Sequence, residues 1–193
     1  DVRQSIADPA LDAQVNVAGT VSVLEAAREA GARRVLMAST AAVYGDPEGI
    51  PTPEAAPIAP LSPYGTSKAA AEWYLGQYQR LHGISTLALR MSNVYGPRQD
   101  PHGEAGVISI FCGIRAEGGR ATVYGDGRQS RDYLFVDDAV AGWLAAAESD
   151  ATGALNLSTG VETSLLDVVA ALEVPHDLAP GRPGEIERSC LDA

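Results

Sequence analysis

An α/β fold built on a parallel sheet is predicted for this 193-residue chain, and three observations predict it. Helical and strand-like segments alternate along the chain. The strand candidates are unbroken apolar runs, as expected of strands covered on both faces. Polar clusters follow directly on those runs. Taken in order, Leu11 to Ala30 has helical periodicity and no proline, with Gly31 as its C-terminal stop. "RRVLMAS" is a strand, and the Pro/Gly-rich "GDPEGIPTPEAAPIAPLSP" is a loop. Tyr64 to Leu81 is a helix opened by Pro63 and closed by His82-Gly83, and "STLALR" is a second strand. Further on, "GVISIFCGIRAEG" reads as helix, "ATVYG" and "DYLFV" as strands, and "GDGRQ" as a turn. Asp137 is the expected N-cap of "DAVAGWLAAAE". "ALNLS" and "SLLDVVAALE" add a strand and a helix, and "PHDLAPGRPGEIERSCLDA" reads as irregular.

Composition narrows the function classes. Hydrophobic residues make up 46 % and charged residues 20 %, a globular balance. The formal net charge of −11 argues against nucleic acid or an anionic membrane as partner, but leaves room for a nucleotide ligand held by a few local donors. No apolar run is long enough to span a membrane, so a cytoplasmic setting is expected. Cys112 and Cys190 form no CxxC and are expected as free thiols. His82, His102 and His176 show no ligand spacing, so no metal site is expected.

Lys68 is the only lysine; the other 13 of the 14 Lys+Arg residues are arginine. It lies four residues after Tyr64 on the helix candidate, so the two share a face. An ammonium beside a phenol favours the phenolate, which makes the pair a candidate general acid/base. A compact, rotatable ammonium also suits ribose hydroxyls better than a planar guanidinium does. The alternative is a lysine and a tyrosine that are merely exposed one turn apart. Ser39 and Thr40 end the strand "RRVLMAS(T)", where open α/β sheets bind ligands, and Asn93 follows "STLALR" in the same way. For these residues the alternative is a turn or a cap.

The set "DVRQSIADP", "NVAGT", "ASTAAVYG", "PYGTSK", "LRMSNVYGPRQ", "GEAGVISIF", "VYGDGRQSRDYLFVDD" and "RPGEIERSCLD" resembles the extended short-chain dehydrogenase/reductases, specifically the nucleotide-sugar epimerase/dehydratase group and within it the UDP-glucose 4-epimerases. The resemblance runs through almost the whole chain in the group's order. It implies a partial doubly wound, Rossmann-type parallel sheet with a smaller mixed substrate-binding region. Residues 1–95 would be the remaining part of the NAD-binding domain, with the catalytic residues. Residues 96–193 would be mainly substrate-binding, with a Rossmann segment near 131–150.

The resemblance also implies roles. Tyr64 would be the catalytic acid/base, with Lys68 assisting it and gripping the nicotinamide ribose. Thr40 would hold the reacting sugar hydroxyl. Asn16 and Ser39 would lie beside NAD; a satisfied polar group is the alternative for Asn16. Asn93, Arg131 and Arg182 would bind the sugar diphosphate, Tyr124 would lie near the uracil, and Glu185 would contact the nucleotide ribose. Core packing is the alternative for Tyr124, and surface salt bridges are the alternative for the two arginines. The expected reaction is 4-epimerisation of a UDP-sugar through a 4-keto intermediate, by a homodimer. Sugar 4,6-dehydratases carry an Asp-Glu pair where this chain has Ala41-Ala42, which disfavours dehydration. Ser189 stands where a bulky aromatic excludes N-acetyl sugars in some members, so a roomier pocket is expected. Other UDP-sugar chemistry (dehydration, decarboxylation or reduction) and a non-catalytic sugar-nucleotide-binding remnant are the alternatives. The group's Gly-rich phosphate turn, which opens its first βα units, is not found in these residues. The chain is therefore expected to be part of a longer protein.

Overall fold

A computed structural model describes residues 2–102, 106–182 and 186–193. Its central sheet has the order β1 (Arg34–Thr40), β2 (Ser85–Met91), β6 (Gly153–Leu157), all parallel. Alternate residues of these strands go to opposite faces. Val35, Met37 and Ala88 meet Leu24 of α3 (Gly19–Glu29) and Leu75 and Tyr78 of α4 (Pro63–His82). Leu36, Leu87 and Leu89 meet Trp143 and Ala146 of α6 (Val136–Glu148). Helices thus cover both faces of the sheet, which is the doubly wound arrangement the apolar runs predict. Within it β2 is buried and β1, with one neighbour, is half-buried.

A second sheet runs β3 (Asn93–Tyr95), β5 (Ser130–Phe135), β7 (Glu162–Ser164), with β9 (Arg188–Ser189) also pairing β5. A two-stranded sheet joins β4 (Ala121–Tyr124) to β8 (His176–Ala179). Phe111 of α5 (Val107–Ala116) packs with Val123 and with Leu165, Val168 and Val169 of α7 (Leu165–Ala171) into a separate core.

Four expectations are corrected. The segment expected to be irregular contributes β8 and β9, which are short and take their hydrogen bonds from partners more than fifty residues away. The helix expected over 11–30 is three pieces: α2 (Pro9–Ala13), a π turn (Gln14–Ala18) and α3; another helix, α1 (Val2–Ala7), precedes them. Asp137 lies in the first turn of α6, not at its N-cap; Phe135 holds that place with no side-chain bond, and Asp137 and Asp138 offset the dipole instead. The strands of the central sheet are not all fully buried, since β1, though packed on both faces, keeps a half-buried pattern.

The helix α4 ends as the sequence predicts. Ser62 accepts from the Gly65 amide at 3.1 Å, Pro63 takes the first helical position, and Gly83 closes the helix at φ 71°.

Candidate active site

Thr40 ends β1, and a 3₁₀ turn (Ala41–Val43) follows immediately. The Thr40 hydroxyl oxygen accepts from the Ala42 amide at 3.2 Å. Its own proton remains available, and a Thr40 hydrogen bond favours the phenolate of Tyr64. Strand end and helix start can approach this closely because residue 65 is glycine. A Cβ there would lie 2.6 Å from the Ala42 carbonyl oxygen and 2.9 Å from Pro60 Cβ, closer than side chains pack. Sequence reasoning passed over Gly65, although a glycine in the first turn of an alanine-rich helix is a visible departure.

Lys68 Nζ donates to the Ala38 carbonyl at 3.1 Å and stands 5.8 Å from the Tyr64 ring centroid. Tyr64 and Lys68 are both half-buried. Burial pushes the phenol above its ordinary value, the Thr40 bond draws it back, and the Asp12 carboxylate adds to the rise. Burial pushes the Lys68 ammonium below its ordinary value, and Asp12 opposes that fall. The phenol's pKa is raised on balance, not lowered as expected, because burial outweighs the Thr40 bond that favours the phenolate. The ammonium is committed to a backbone carbonyl one strand position before Ser39.

Asn16 sits in the π turn, and its amide donates to the Asp12 side chain at 2.9 Å and to the Asp12 carbonyl at 3.2 Å. Wide helical turns of this kind are frequent at functional sites. Ser39 has a different environment from the one expected beside a cofactor. It is 3 % exposed, and its hydroxyl donates to Glu72. Glu72 in turn pairs with Arg90 at 2.7 Å, both side chains 8 % exposed, and Arg90 donates to the Tyr44 hydroxyl at 2.8 Å. Ser39 thus belongs to a buried network joining β1, β2 and α4. Nothing in sequence spacing pairs residue 72 with residue 90.

The strand register carries the site onward. Thr40 is level with Met91, Asn93 pairs with Tyr133, and Arg131 pairs with Ser189. Asn93 and Arg131 line a cavity of about 380 Å³ with Tyr95, Gln99 and Tyr133. One Arg131 nitrogen donates to the Ser130 carbonyl at 2.7 Å. Gln129 borders this cavity and also the neighbouring one of about 410 Å³, where the Arg182 guanidinium lies 3.6 Å from the Tyr124 ring centroid. Arg182 is therefore stacked on an aromatic face, with its charge open to an anion. Glu185 lies outside the described residues.

Asp132, which sequence reasoning also missed, fixes the spacing of this half. Fully buried, it accepts from Ser92 Oγ (3.2 Å), Thr159 N (3.1 Å), Thr159 Oγ1 (2.8 Å) and Gly160 N (3.0 Å). The Cys190 thiol also faces it, at 3.6 Å. The residues that flank Asn93 and Ser189 are thus tied to the strand that bears Arg131.

The structure gathers Thr40, Tyr64 and Lys68 at the end of β1, and holds Asn16 by Asp12 in a π turn that packs on α4. It joins Asn93 with Arg131, and Tyr124 with Arg182. Among the described residues, no helix is long and apolar enough to cross a membrane. Among the same residues, no group of three or more His, Cys, Asp or Glu side chains is arranged to hold a metal ion.

Comparison with known proteins adds a lineage. The profile of a family described as the NAD dependent epimerase/dehydratase family matches residues 1–158. UDP-glucose 4-epimerase of Mycolicibacterium smegmatis is 44 % identical over 99 % of this chain and 64 % of its own length. A crystal structure of UDP-glucose 4-epimerase from Thermotoga maritima, with UDP-glucose, superposes with a TM-score of 0.95 at 37 % identity, over 100 % of this chain and 65 % of that one. The Thermus thermophilus UDP-glucose 4-epimerase complex with NAD gives a TM-score of 0.90 at 41 % identity, over 100 % and 66 %. The chain thus spans about two thirds of the length of these relatives.

Proposed function

Because this chain belongs to the NAD dependent epimerase/dehydratase family, we propose that it is the catalytic and sugar-nucleotide-binding part of an NAD-dependent UDP-glucose 4-epimerase. The observation that carries this reading is the cluster at the end of β1, where the Thr40 hydroxyl meets the Tyr64 phenol and Lys68 lies one helical turn away. Residues 1–95 supply the acid/base and the nicotinamide side, and residues 96–193 supply most of the sugar-nucleotide side.

The residues present fit the ribose end of NAD. Lys68 spends one N–H on the Ala38 carbonyl and has further donors for ribose hydroxyls, on a half-buried ammonium beside Tyr64. When bound, NAD supplies the acceptor and donor of hydride at the sugar's C4. Tyr64 removes the proton of the C4 hydroxyl and later returns one, with Thr40 orienting that hydroxyl. A phenol with a raised pKa is a strong base once ionised, which suits removal of the C4 hydroxyl proton. Arg131, Arg182 and Asn93 hold the diphosphate, and the aromatic face of Tyr124 lies by the base. Glu185 is retained as a candidate for the nucleotide ribose.

Ala41 and Ala42 form the turn after Thr40 and supply no second proton-transfer pair, which favours epimerisation over dehydration. Ser189, level with Arg131, leaves room for a 2-N-acetyl group. A homodimer through α3 and α4 is supported by the exposed Val23, Trp73 and Tyr74 on those helices. The free thiols of Cys112 and Cys190 suit a cytoplasmic enzyme.

Incubation of the purified protein with NAD and UDP-glucose should yield UDP-galactose, and Tyr64→Phe should lower that rate about 10³-fold with an unchanged fold. Retention of full turnover in Tyr64→Phe would end the assignment.

A further inference from the structure

Register sets three polar side chains level across the central sheet. Ser39 of β1 lies opposite Arg90 of β2, and Arg90 lies opposite Asn156 of β6. This row stands one position before Thr40, in strands otherwise rich in apolar side chains. Ser39 itself sits between Thr40 and Ala38, whose carbonyl receives Lys68.

The row continues beyond the sheet as a chain of hydrogen bonds. Ser39 donates to Glu72, Glu72 pairs with Arg90, and Arg90 donates to the Tyr44 hydroxyl oxygen at 2.8 Å. That bond leaves the Tyr44 proton for Asn156 Oδ1, also at 2.8 Å. The Asn156 amide nitrogen then donates to two backbone carbonyls, those of Thr52 (2.9 Å) and Asp192 (2.8 Å). The side-chain oxygen and both N–H groups of Asn156 are thus engaged, and each bond runs in the one direction its neighbours permit. Thr52 also bonds the segment 190–192 directly: its amide donates to the Cys190 carbonyl and its carbonyl accepts from the Asp192 amide, both at 2.9 Å. Between these bonds the buried Leu191 packs with Val43, Tyr44 and Ala69 of α4.

The residues just before this segment are held by the other half of the molecule. Arg188 and Ser189 pair with Ser130 and Arg131 of β5. Ser189 and Arg131 belong to the sugar and diphosphate side of the proposed site. One short stretch of chain therefore joins the two sides: β5 holds its start, and Tyr44, Asn156 and Thr52 hold its end.

We propose that Asn156 is a positioning residue of the active site: by joining Tyr44 to the Asp192 carbonyl, it fixes the wall that carries Ser189 relative to Thr40 and Tyr64. This role rests on the acid/base reading of Tyr64. A shift of the wall changes where the sugar's C4 hydroxyl lies relative to the phenol, and proton transfer tolerates little misplacement. The nucleotide is held by Arg131, Arg182 and Tyr124, which the link does not touch. Loosening the link therefore costs turnover before it costs nucleotide binding.

Tyr44→Phe removes only the hydroxyl and keeps the ring whose centroid lies 4.9 Å from the Arg90 guanidinium carbon. Asn156→Ala removes every bond of the side-chain amide. The purified protein is assayed for kcat with NAD and UDP-glucose, and for Kd with UDP and with UDP-glucose by calorimetry. Tyr44→Phe should lower kcat about 3- to 10-fold and Asn156→Ala about 10- to 100-fold, with Kd for UDP within about twofold of wild type. The double variant should cost no more than Asn156→Ala, because both changes cut one chain of bonds. If Asn156→Ala does not fold, Tyr44→Phe alone carries the comparison. In an active protein, an unchanged kcat in Tyr44→Phe, a UDP affinity that falls as far as kcat, or costs that multiply in the double variant would overturn the role of Asn156. In a protein without turnover, a loss of affinity in Tyr44→Phe that is larger for UDP-glucose than for UDP supports that role while ending the epimerase assignment. Equal losses for the two nucleotides, or none, would overturn it there, and a wild type that binds neither would end both readings.

Discussion

Tyr64 and Arg182 mark two regions built on different principles. Around Tyr64 the polar groups are closely held. Thr40 favours the phenolate and accepts from the Ala42 amide, Gly65 lets the helix press on the strand end, and Ser39, Glu72 and Arg90 form a buried brace between β1, β2 and α4. Around Arg182 the guanidinium is exposed and leans on one ring. The proposed roles of the two regions account for the difference. A proton moves only over hydrogen-bond distances, so its donor and acceptor need a rigid, partly desolvated setting. A diphosphate is attracted over a longer range, and charges at an open surface suffice to hold it.

Four changes would break or sharpen that contrast. The largest stability loss is expected for Glu72→Gln, which leaves Arg90 buried without its counter-charge at about 3 kcal/mol; chemical denaturation reads it, and Glu72→Gln/Arg90→Met should recover much of the loss. Gly65→Ala must push the helix start away from the Ala42 carbonyl, so kcat should fall at least tenfold while KM for UDP-glucose changes little. On the other side, Arg131→Ala should raise that KM about 10- to 100-fold with kcat nearly kept, the worth of a charge-assisted bond of about 1.5–3 kcal/mol. Arg182→Ala should raise it only a few-fold, because the cation–π contact it loses contributes about 0.5–1 kcal/mol at an exposed site. An Arg182 effect on kcat larger than that of Gly65→Ala would invert the comparison.

A pH effect tests the brace near Asp132. Burial, before the nearby carboxylate, pushes the Cys190 thiol from its ordinary 9.0 up to about 12. The folded state therefore keeps a proton that the unfolded chain gives up. The thiol's contribution to stability is fully present below pH 9 and is lost as pH rises from 9 toward about 12. In the native protein at pH 8, an alkylating reagent should modify exposed Cys112 and spare Cys190.

Much of the Tyr64 region was legible because its signals are local. Pro63 and Gly83 bracket α4, "RRVLMAS" and "STLALR" are apolar runs, and Tyr64 and Lys68 are one turn apart on a single helix. The residues that set the environment of the pair were not legible. Asn16 lies in a π turn and is held by Asp12 of the preceding helix, and no residue pattern announces that turn. Ser39 looked like a strand-end ligand group, but its hydroxyl is taken by Glu72, thirty-three residues along the chain. Strands β8 and β9 hide among Pro and Gly because two to four residues carry too little pattern to register. Asp132 reads as one more acid after an arginine; its role comes from donors at positions 92, 159 and 160 that only the folded chain brings to it.

The central claim is that the half-buried Tyr64 phenol at the end of β1 is the acid/base, with Thr40 as the neighbour that favours its phenolate. The direct measurement is the phenolate titration of Tyr64 in Thr40→Val and Thr40→Ser against wild type, with the pH profile of kcat alongside. Removing a donor that favours the phenolate raises the pKa. Thr40→Val should therefore move the Tyr64 titration and the acid limb of the profile together to higher pH, while Thr40→Ser leaves both near wild type. An acid limb that stays in place in Thr40→Val while the phenolate titration moves would contradict the account, because another group would then be carrying the proton.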